Sequence, residues 1–338
     1  MAEDHLSSRR ALLALAAVAA AGACASAPEP IETPKLDPLP PLDLAALAPR
    51  AGLVWLLRVR PRVIAQIPWL IPAVGRIVPE ANFDGFRDKV GFDLRQIPEA
   101  VLTRHGAPLS ADTAIVRHNV EPVLLERKLS KRLSSDVLRA EERPDLVRVS
   151  GKLGTQTRAF CRIGNDIAVY QTGGDPVRGT ARIASLYATK KLDARRALDG
   201  DPLGPLVERF GDAPAVAVAL GPFEDEWKGA ARGLLEIATA AGAAARPTAR
   251  EHVGLAIALS GEFGDRASAA ADTLRDAWGD MAATGTGRVL GLDSPIGTPV
   301  AAGAKNVVTL SVELDADRLT EGLRALVARD LEALMRLD

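Results

Sequence analysis

Hydrophobic and polar positions alternate along the chain in a way that predicts strands, each followed by a helix. Strand-like runs occupy Leu53–Arg60, Thr113–Val120 and Ala215–Leu220. A proline follows each run, at positions 61, 122 and 222, and opens a helical pattern. Proline suits the first helical turn because the amide that it lacks has no partner within the helix there. We expect the helix after Pro222 to continue through about Ala245.

The second and third of these units have similar endings. Leu146–Gly154 and Leu255–Gly264 both read as strands that end in Ser-Gly-x-(Leu/Phe)-Gly. A strand–helix–strand unit that occurs twice predicts an internal repeat. The alternative is a chance similarity between common strand and turn sequences.

Further along each unit the patterns diverge and predict additional elements. The first unit continues into a hairpin and a helix, and the second into a helix, a short strand, a long strand and a last helix. In chain order these are Arg158–Ile163, Ile167–Thr172, a helix from Pro176, a helix capped by Asp265, Val289–Leu292, Asn306–Leu314 and a helix capped by Asp315.

Runs of strands mixed with helices favour an α+β fold. Glycine, proline and aspartate concentrate at Asp199–Pro205, which is the best boundary within the body. We therefore expect two related α+β lobes, residues 51–200 and 201–338. Each should be a mostly antiparallel sheet with helices packed on one face.

Composition excludes several classes of function. With 42 basic and 43 acidic residues the formal net charge is −1, so there is no basic footprint for nucleic acid. The four histidines are too far apart in sequence for a zinc site, and we expect no metal and no cofactor. Cys161 lies in an alternating segment and is expected to be a small buried side chain.

Candidate catalytic groups are weak. Gly285–Gly291 has the wrong order of elements for a phosphate-binding loop, and a helix end followed by a turn explains it better. Ser150 and Ser260 lack the elbow motif of a serine hydrolase. His105 and His118 flank one short segment and could approach each other as a base. The sequence thus favours a protein without catalysis.

The most apolar segment of the body is Val63–Val74, which contains Trp69 and two prolines. It predicts either a core helix, which we favour, or a surface helix that touches lipid or a partner.

The N-terminal segment resembles an export signal. Arg9 and Arg10 precede an apolar run, Ala11–Ala21, that covers about half of a ~30 Å hydrocarbon core and so predicts a cleaved signal peptide, residues 1–24. Its end, Ala21-Gly22-Ala23-Cys24, resembles the lipobox of bacterial lipoproteins, with alanine in place of the usual leucine. The resemblance implies acylation of Cys24, for example by palmitate. A plain secretory signal, cut after Ala23 or near Ala25–Ala27, is the alternative.

The route and destination follow from the same resemblance. Ser8–Leu13 resembles the twin-arginine export motif, which leaves folded export and general secretion both open. No aspartate stands beside Cys24, which implies passage to the outer membrane in a host with two membranes. Residues 25–50 are rich in proline and predict a linker that holds the body away from the membrane.

These features together predict an exported, lipid-anchored binding or accessory module of the cell envelope. Its partners would be the membrane, through the lipid on Cys24, and either an envelope protein or an apolar ligand. Two alternatives stay open: a carrier of an apolar ligand, and an envelope hydrolase that uses two carboxylates about 5–10 Å apart.

Overall fold

The computed structural model describes residues 42–106, 110–189, 191, 196–223, 229–249 and 251–325. Within them the backbone forms one antiparallel sheet of twelve strands, in the order β11-β12-β10-β9-β8-β1-β2-β3-β7-β6-β5-β4. The strands are β1 Leu53–Val59, β2 Ala100–His105, β3 Ala111–Arg117, β4 Ser135–Arg143, β5 Leu146–Leu153, β6 Gln156–Ile163, β7 Ile167–Thr172, β8 Ala215–Leu220, β9 Ala238–Ala249, β10 His252–Gly261, β11 Val300–Ala304 and β12 Val307–Asp315.

Helices lie in five of the connections between these strands. They are α1 Pro61–Ala65, α2 Ile71–Ile77, α3 Glu80–Val90, α4 Pro122–Ser130, α5 Pro176–Ala188, α6 Leu203–Phe210, α7 Leu234–Ile237, α8 Ala267–Ala283, α9 Gly285–Val289 and α10, residues 316–325. The predicted prolines open α1, α4 and α5, and Asp315 caps α10 by accepting from the Arg318 amide at 2.9 Å.

The predicted α+β class is confirmed. The sheet does not break between the sequence halves, because β1 pairs with β8 from Trp55↔Ala219 to Val59↔Ala215. The division of the body into two lobes, 51–200 and 201–338, stays a prediction.

Each face of the sheet carries its own helices. We define face A as the face of Leu56, Val101 and Ile115, which pack with α5, α6 and the turn Ala45–Leu47 in one buried cluster. Face B carries two clusters, one under α3 and α4 and one under α7 and α8. Helices thus lie on both faces, where one face was expected, because neighbouring strand residues such as Phe160 and Cys161 are both buried and point to opposite sides.

The body begins earlier than residue 51. Residues 25–41 of the predicted linker, with the signal segment and Cys24, lie outside the described residues. Residues 42–50 belong to the body, because Leu44, Ala45 and Ala48 are fully buried in the face A cluster. Three apolar residues at 42, 44 and 47 anchor this stretch despite the proline content around it.

Two element assignments from the sequence are wrong. Residues 238–249 form strand β9 and not a helix, because β8 and β10 pair with it on both sides and their ladder outweighs the helix propensity of alanine. Val289–Leu292 is not a strand: Val289 ends α9, which packs against α8. Strands β2, β4 and β11 were not predicted.

The apolar segment Val63–Val74 lies at the surface. None of its described side chains is buried, and Ile71 is 53% exposed. The favoured prediction of a core helix is therefore wrong. Among the described residues, no helix combines the length and the apolar character needed to cross a membrane.

Candidate functional site

A groove of about 680 Å³ crosses face A where the sheet extends beyond α6. Its floor consists of the face A side chains of β10 and β12, among them Ala256, Thr309 and Ser311. Ala256 lies directly opposite Ser311, and Ser311 is exposed. The groove is therefore a shallow surface of small side chains that is open to solvent.

One wall is the C-terminal end of α6, and a glycine sets its position. The Phe210 ring lies so close to β9 that a Cβ at Gly242 would stand 2.6 Å from it. Phe210 is buried, whereas Arg209 beside it is exposed. The helix thus presses onto the sheet with its last aromatic ring and presents a cation to the groove.

The opposite wall is the loop that leads into β11. The Ile296 amide donates to the Glu313 carbonyl at 2.7 Å, which holds the loop against β12. Val300, the first residue of β11, also lines the groove and is 66% exposed. This wall therefore carries one exposed apolar side chain.

A second glycine, Gly254, leaves space on the floor of the groove for a neighbouring side chain. A Cβ at Gly254 would stand 2.6 Å from Cγ2 of Thr248 on the neighbouring strand. Glycine within a strand often marks a close approach of another chain or side chain. Here it allows Thr248 to lie flat and keeps the groove continuous.

Positive charge predominates along the groove. Arg209 and Arg246 are exposed and line it, and Nη2 of Arg246 donates to the Phe210 carbonyl at 3.0 Å, which fixes its direction. Glu313 is the one carboxylate among the lining residues that the structure assigns to the groove. Its Oε1 already accepts from the Thr248 hydroxyl and lies 3.4 Å from Nδ1 of His252.

The contacts in the groove do not form a catalytic triad. A nucleophile needs its hydroxyl against a base, and a histidine base needs an orienting carboxylate. Here the Thr248 hydroxyl donates to the Glu313 carboxylate, and the same carboxylate oxygen lies 3.4 Å from Nδ1 of His252. Across the described part of the chain, no group of three or more His, Cys, Asp or Glu residues could hold a metal ion.

The structure separates the two candidate histidines. His105 ends β2, level with Ala111 at the start of β3, whereas His118 follows the end of β3. At ~3.3 Å per strand residue they are roughly 20 Å apart. The ring of His105 is buried with Nε2 3.1 Å from the Pro49 carbonyl. Neither histidine lines the groove.

His118 is a packed side chain. Its ring stacks on Phe92 with 6.2 Å between centroids, and Nδ1 accepts from the Val120 amide at 3.3 Å. Burial lowers the pKa of His118, while the nearby Asp166 opposes that shift. The low pKa reflects packing and not an active site.

The remaining sequence candidates lie outside the groove. Cys161 is fully buried, as expected, and burial raises the pKa of its thiol to about 12, which makes it unreactive. Ser150 lies on β5 and Ser260 at the end of β10. Gly285 opens the short helix α9, capped by the Thr284 side chain, so the helix end is followed by another helix and not by a simple turn.

Sequence reasoning did not single out Arg209, Arg246, Gly254 or Glu313. The helix wrongly predicted through about Ala245 left strand β9 out, so the pairing of Arg246 with Gly254 was not foreseen. The glycine within a strand was a usable signal. This chain matches no protein-family model and no curated protein.

Proposed function

We propose that this protein is a non-enzymatic binding module of the bacterial cell envelope, and that its groove takes an extended, acidic segment of another envelope protein. The observation that carries the proposal is the groove itself: an open floor of small side chains with Arg209 and Arg246 on one side. Opposite charge at an interface speeds association and selects the partner.

The width of the groove favours an extended chain. Its floor spans the strands β9, β10 and β12, which at ~4.8 Å between neighbours gives a width of roughly 10–15 Å. Aromatic residues make up 4% of the chain, and the one aromatic ring of the lining, Phe210, is buried. Sugar rings would thus find little to stack on, which favours a peptide over a glycan.

The cellular address rests on the N-terminal segment. Cys24 follows a short apolar run and resembles an acylated lipoprotein cysteine, so we propose export and attachment to the membrane through lipid on Cys24. The intact mass of protein extracted from the native host in mild detergent tests this. Acylated Cys24 supports the proposal; a mature chain that starts elsewhere with an unmodified cysteine opposes it.

Neither alternative function has an observation of its own. A carrier needs an enclosed apolar cavity, whereas the groove is open to solvent. A hydrolase needs two carboxylates in one groove, and the groove residues include one, Glu313.

A binding measurement tests the groove. The probe is a fluorescein-labelled ten-residue peptide in which glutamate and valine alternate, and its counterpart has lysine in place of glutamate. By fluorescence anisotropy in 0.15 M salt, we expect the acidic peptide to bind more tightly. The double variant Arg209→Glu/Arg246→Glu should weaken it at least about tenfold, because two attractive charges become repulsive.

The matched control reverses two exposed arginines elsewhere, Arg62→Glu/Arg275→Glu, which changes the net charge by the same amount. We expect the control to stay within about twofold of the wild type. Equal weakening in both variants, or equal binding of the lysine peptide, would contradict a specific groove.

A further inference from the structure

A second concavity, of about 560 Å³, lies at the ends of strands in the interior of the sheet and shares no lining residue with the groove. It lies where β6 begins, β7 ends and β3 begins. Ser110, Arg158, Thr172 and the turn 173–175 line it. Hydroxyl groups and one guanidinium therefore converge at a place that the proposed peptide groove does not use.

Arg158 differs from the other buried arginines. Three arginines with described side chains are buried to nine tenths or more: Arg143, Arg158 and Arg162. Arg143 pairs with Asp145 at 2.8 Å, and Arg162 lies 4.0 Å from Glu126. Arg158 is 7% exposed, and no carboxylate of the described residues lies within 4.0 Å of it.

The contacts of the Arg158 guanidinium are with neutral groups. Its Nη1 is 3.4 Å from the Thr157 carbonyl, and its Nη2 donates to the side-chain oxygen of Gln156. Its Nε is buried and has no hydrogen-bond partner among the described residues. Because arginine stays protonated in proteins, this is a buried positive charge with an unused donor, which is costly unless a counterion completes it.

The wall around the guanidinium is built closely. Gly173 has φ +83°, and a Cβ there would stand 2.5 Å from the Ser110 carbonyl, so only glycine fits. The buried side chain of Gln171 donates to the carbonyl of Gly173 at 2.9 Å and accepts from the Val177 amide at 2.8 Å. The turn is thereby fixed in place.

The other groups at the concavity already have partners, so Arg158 is the charged group that is available to a ligand. Asp175 caps α5 by accepting from the Arg178 amide at 3.1 Å, and its other oxygen lies 3.3 Å from Nη1 of Arg148. The first amides of α5 are thus occupied, and the charge of Asp175 is compensated. The donors that remain for a ligand are those of Arg158 and the hydroxyls beside it.

We propose that this concavity binds an oxyanion, the carboxylate or phosphate group of a small ligand, through the guanidinium of Arg158. Arginine binds both groups through charge-assisted hydrogen bonds, which are frequently bidentate. Ser110 and Thr172 add hydroxyl groups on the same lining.

Thermal unfolding of the full chain tests the site. The arms are sodium phosphate and sodium succinate, each against sodium chloride at equal ionic strength. We expect one or both anions to raise the Tm of the wild type saturably, by about 2 °C or more. The anion that binds more tightly identifies the chemistry of the ligand. Arg158→Met should abolish the rise, whereas Arg104→Met, an exposed arginine paired with Asp112 at 2.8 Å, should retain it.

The chloride arm separates a binding role from a structural one. An arginine kept for a ligand costs stability while the site is empty, so Arg158→Met should be at least as stable as the wild type in chloride. A clear loss of Tm in chloride together with an unchanged phosphate response would overturn the proposal, as would equal responses of all three proteins.

A measurement on the wild type alone covers the case in which Arg158→Met does not fold. Phenylglyoxal modifies arginines, and peptide mass spectrometry locates the product. Phosphate or succinate should slow modification of Arg158 at least about threefold and leave Arg104 unchanged. Unchanged rates at Arg158 in both anions would contradict the site.

Discussion

Face A is closed over the strands from β6 to β9, and it is open over β12 and over the part of β10 around Ala256. Over the first stretch, α5, α6 and the turn Ala45–Leu47 bury side chains such as Leu56 and Ile115 completely. Over the second, Ser311 and Thr309 face the groove beyond the end of α6. The two stretches belong to one ladder of antiparallel pairs.

The composition of the floor follows the difference in cover. Under the helices the face A positions of β1, β3 and β8 include Leu56, Ile115 and Val218, which bury large apolar areas. In the groove the corresponding positions are glycine, alanine, serine and threonine, which gain little from a covering helix. The open stretch therefore differs from the closed one in the size of its side chains, and not only in lying beyond the end of α6.

The largest effect should come from emptying the closed stretch. Ile115→Ala removes a fully buried side chain between β3 and α5, and we expect a loss of about 2–5 kcal/mol in the free energy of unfolding. Urea denaturation measures it. The matched change in the open stretch, Val300→Ala, should stay within about 0.5 kcal/mol. Similar losses at both positions would break the comparison.

An intermediate effect should appear where the cover ends. Gly242→Ala places a methyl group 2.6 Å from the Phe210 ring, so α6 must shift, and we expect a loss of about 1–3 kcal/mol by urea denaturation. The control is Gly279→Ala on the exposed side of α8, where nothing lies within 4 Å. It should gain about 0.5–1 kcal/mol because alanine favours the helix.

If Gly242→Ala proved neutral, Phe210 would not be pressed onto the sheet. The wall of the groove would then be adjustable, which would weaken the argument for a preformed site.

The smallest effect on stability should come from His118, which packs against Phe92 and whose pKa is lowered by burial. Below about pH 6.5 the unfolded chain binds a proton at this residue that the folded chain does not. Stability from His118 is thus present above that pH and is lost as the pH falls. Between pH 7.5 and 5.5 the Tm of the wild type should fall more than that of His118→Gln.

This difference isolates His118 because both proteins keep the other groups. Burial raises the pKa of Glu99, so its contribution to stability is lost as the pH rises above the usual pKa of a glutamate. This contribution is opposite in sign to that of His118, and it is the same in both proteins. Parallel Tm curves for the two proteins would show that His118 is not held neutral by burial.

Alternating patterns and prolines predicted much of the fold. β8 and both hairpin strands, β6 and β7, lie within a few residues of their predicted places, because short apolar runs there are bounded by turn signals. The alanine-rich stretch 238–245 was mistaken for a helix because alanine carries no alternation, and only the neighbouring strands decide its state. The groove depends on that strand, so its arginines could not be placed together in advance.

The burial of Cys161 was easier to predict from the sequence than the proposed binding role of Arg158. Cys161 sits in an alternating segment and is buried, as expected. Arg158 sits in the same strand, two positions before Phe160, and nothing local distinguishes it from a paired arginine. That no described carboxylate lies within 4.0 Å of Arg158 depends on the ends of three strands, which meet in the fold but are far apart in the sequence.

Thiol labelling compares the two stretches of face A in one sample. Ser311→Cys places a thiol on the groove floor, while the native Cys161 lies under α5 on the same face. Under native conditions a bulky maleimide, followed by peptide mass spectrometry, should label position 311 at least about a hundredfold faster than Cys161, and denaturant should equalise the rates. Protection of position 311 to the level of Cys161 would contradict an open groove.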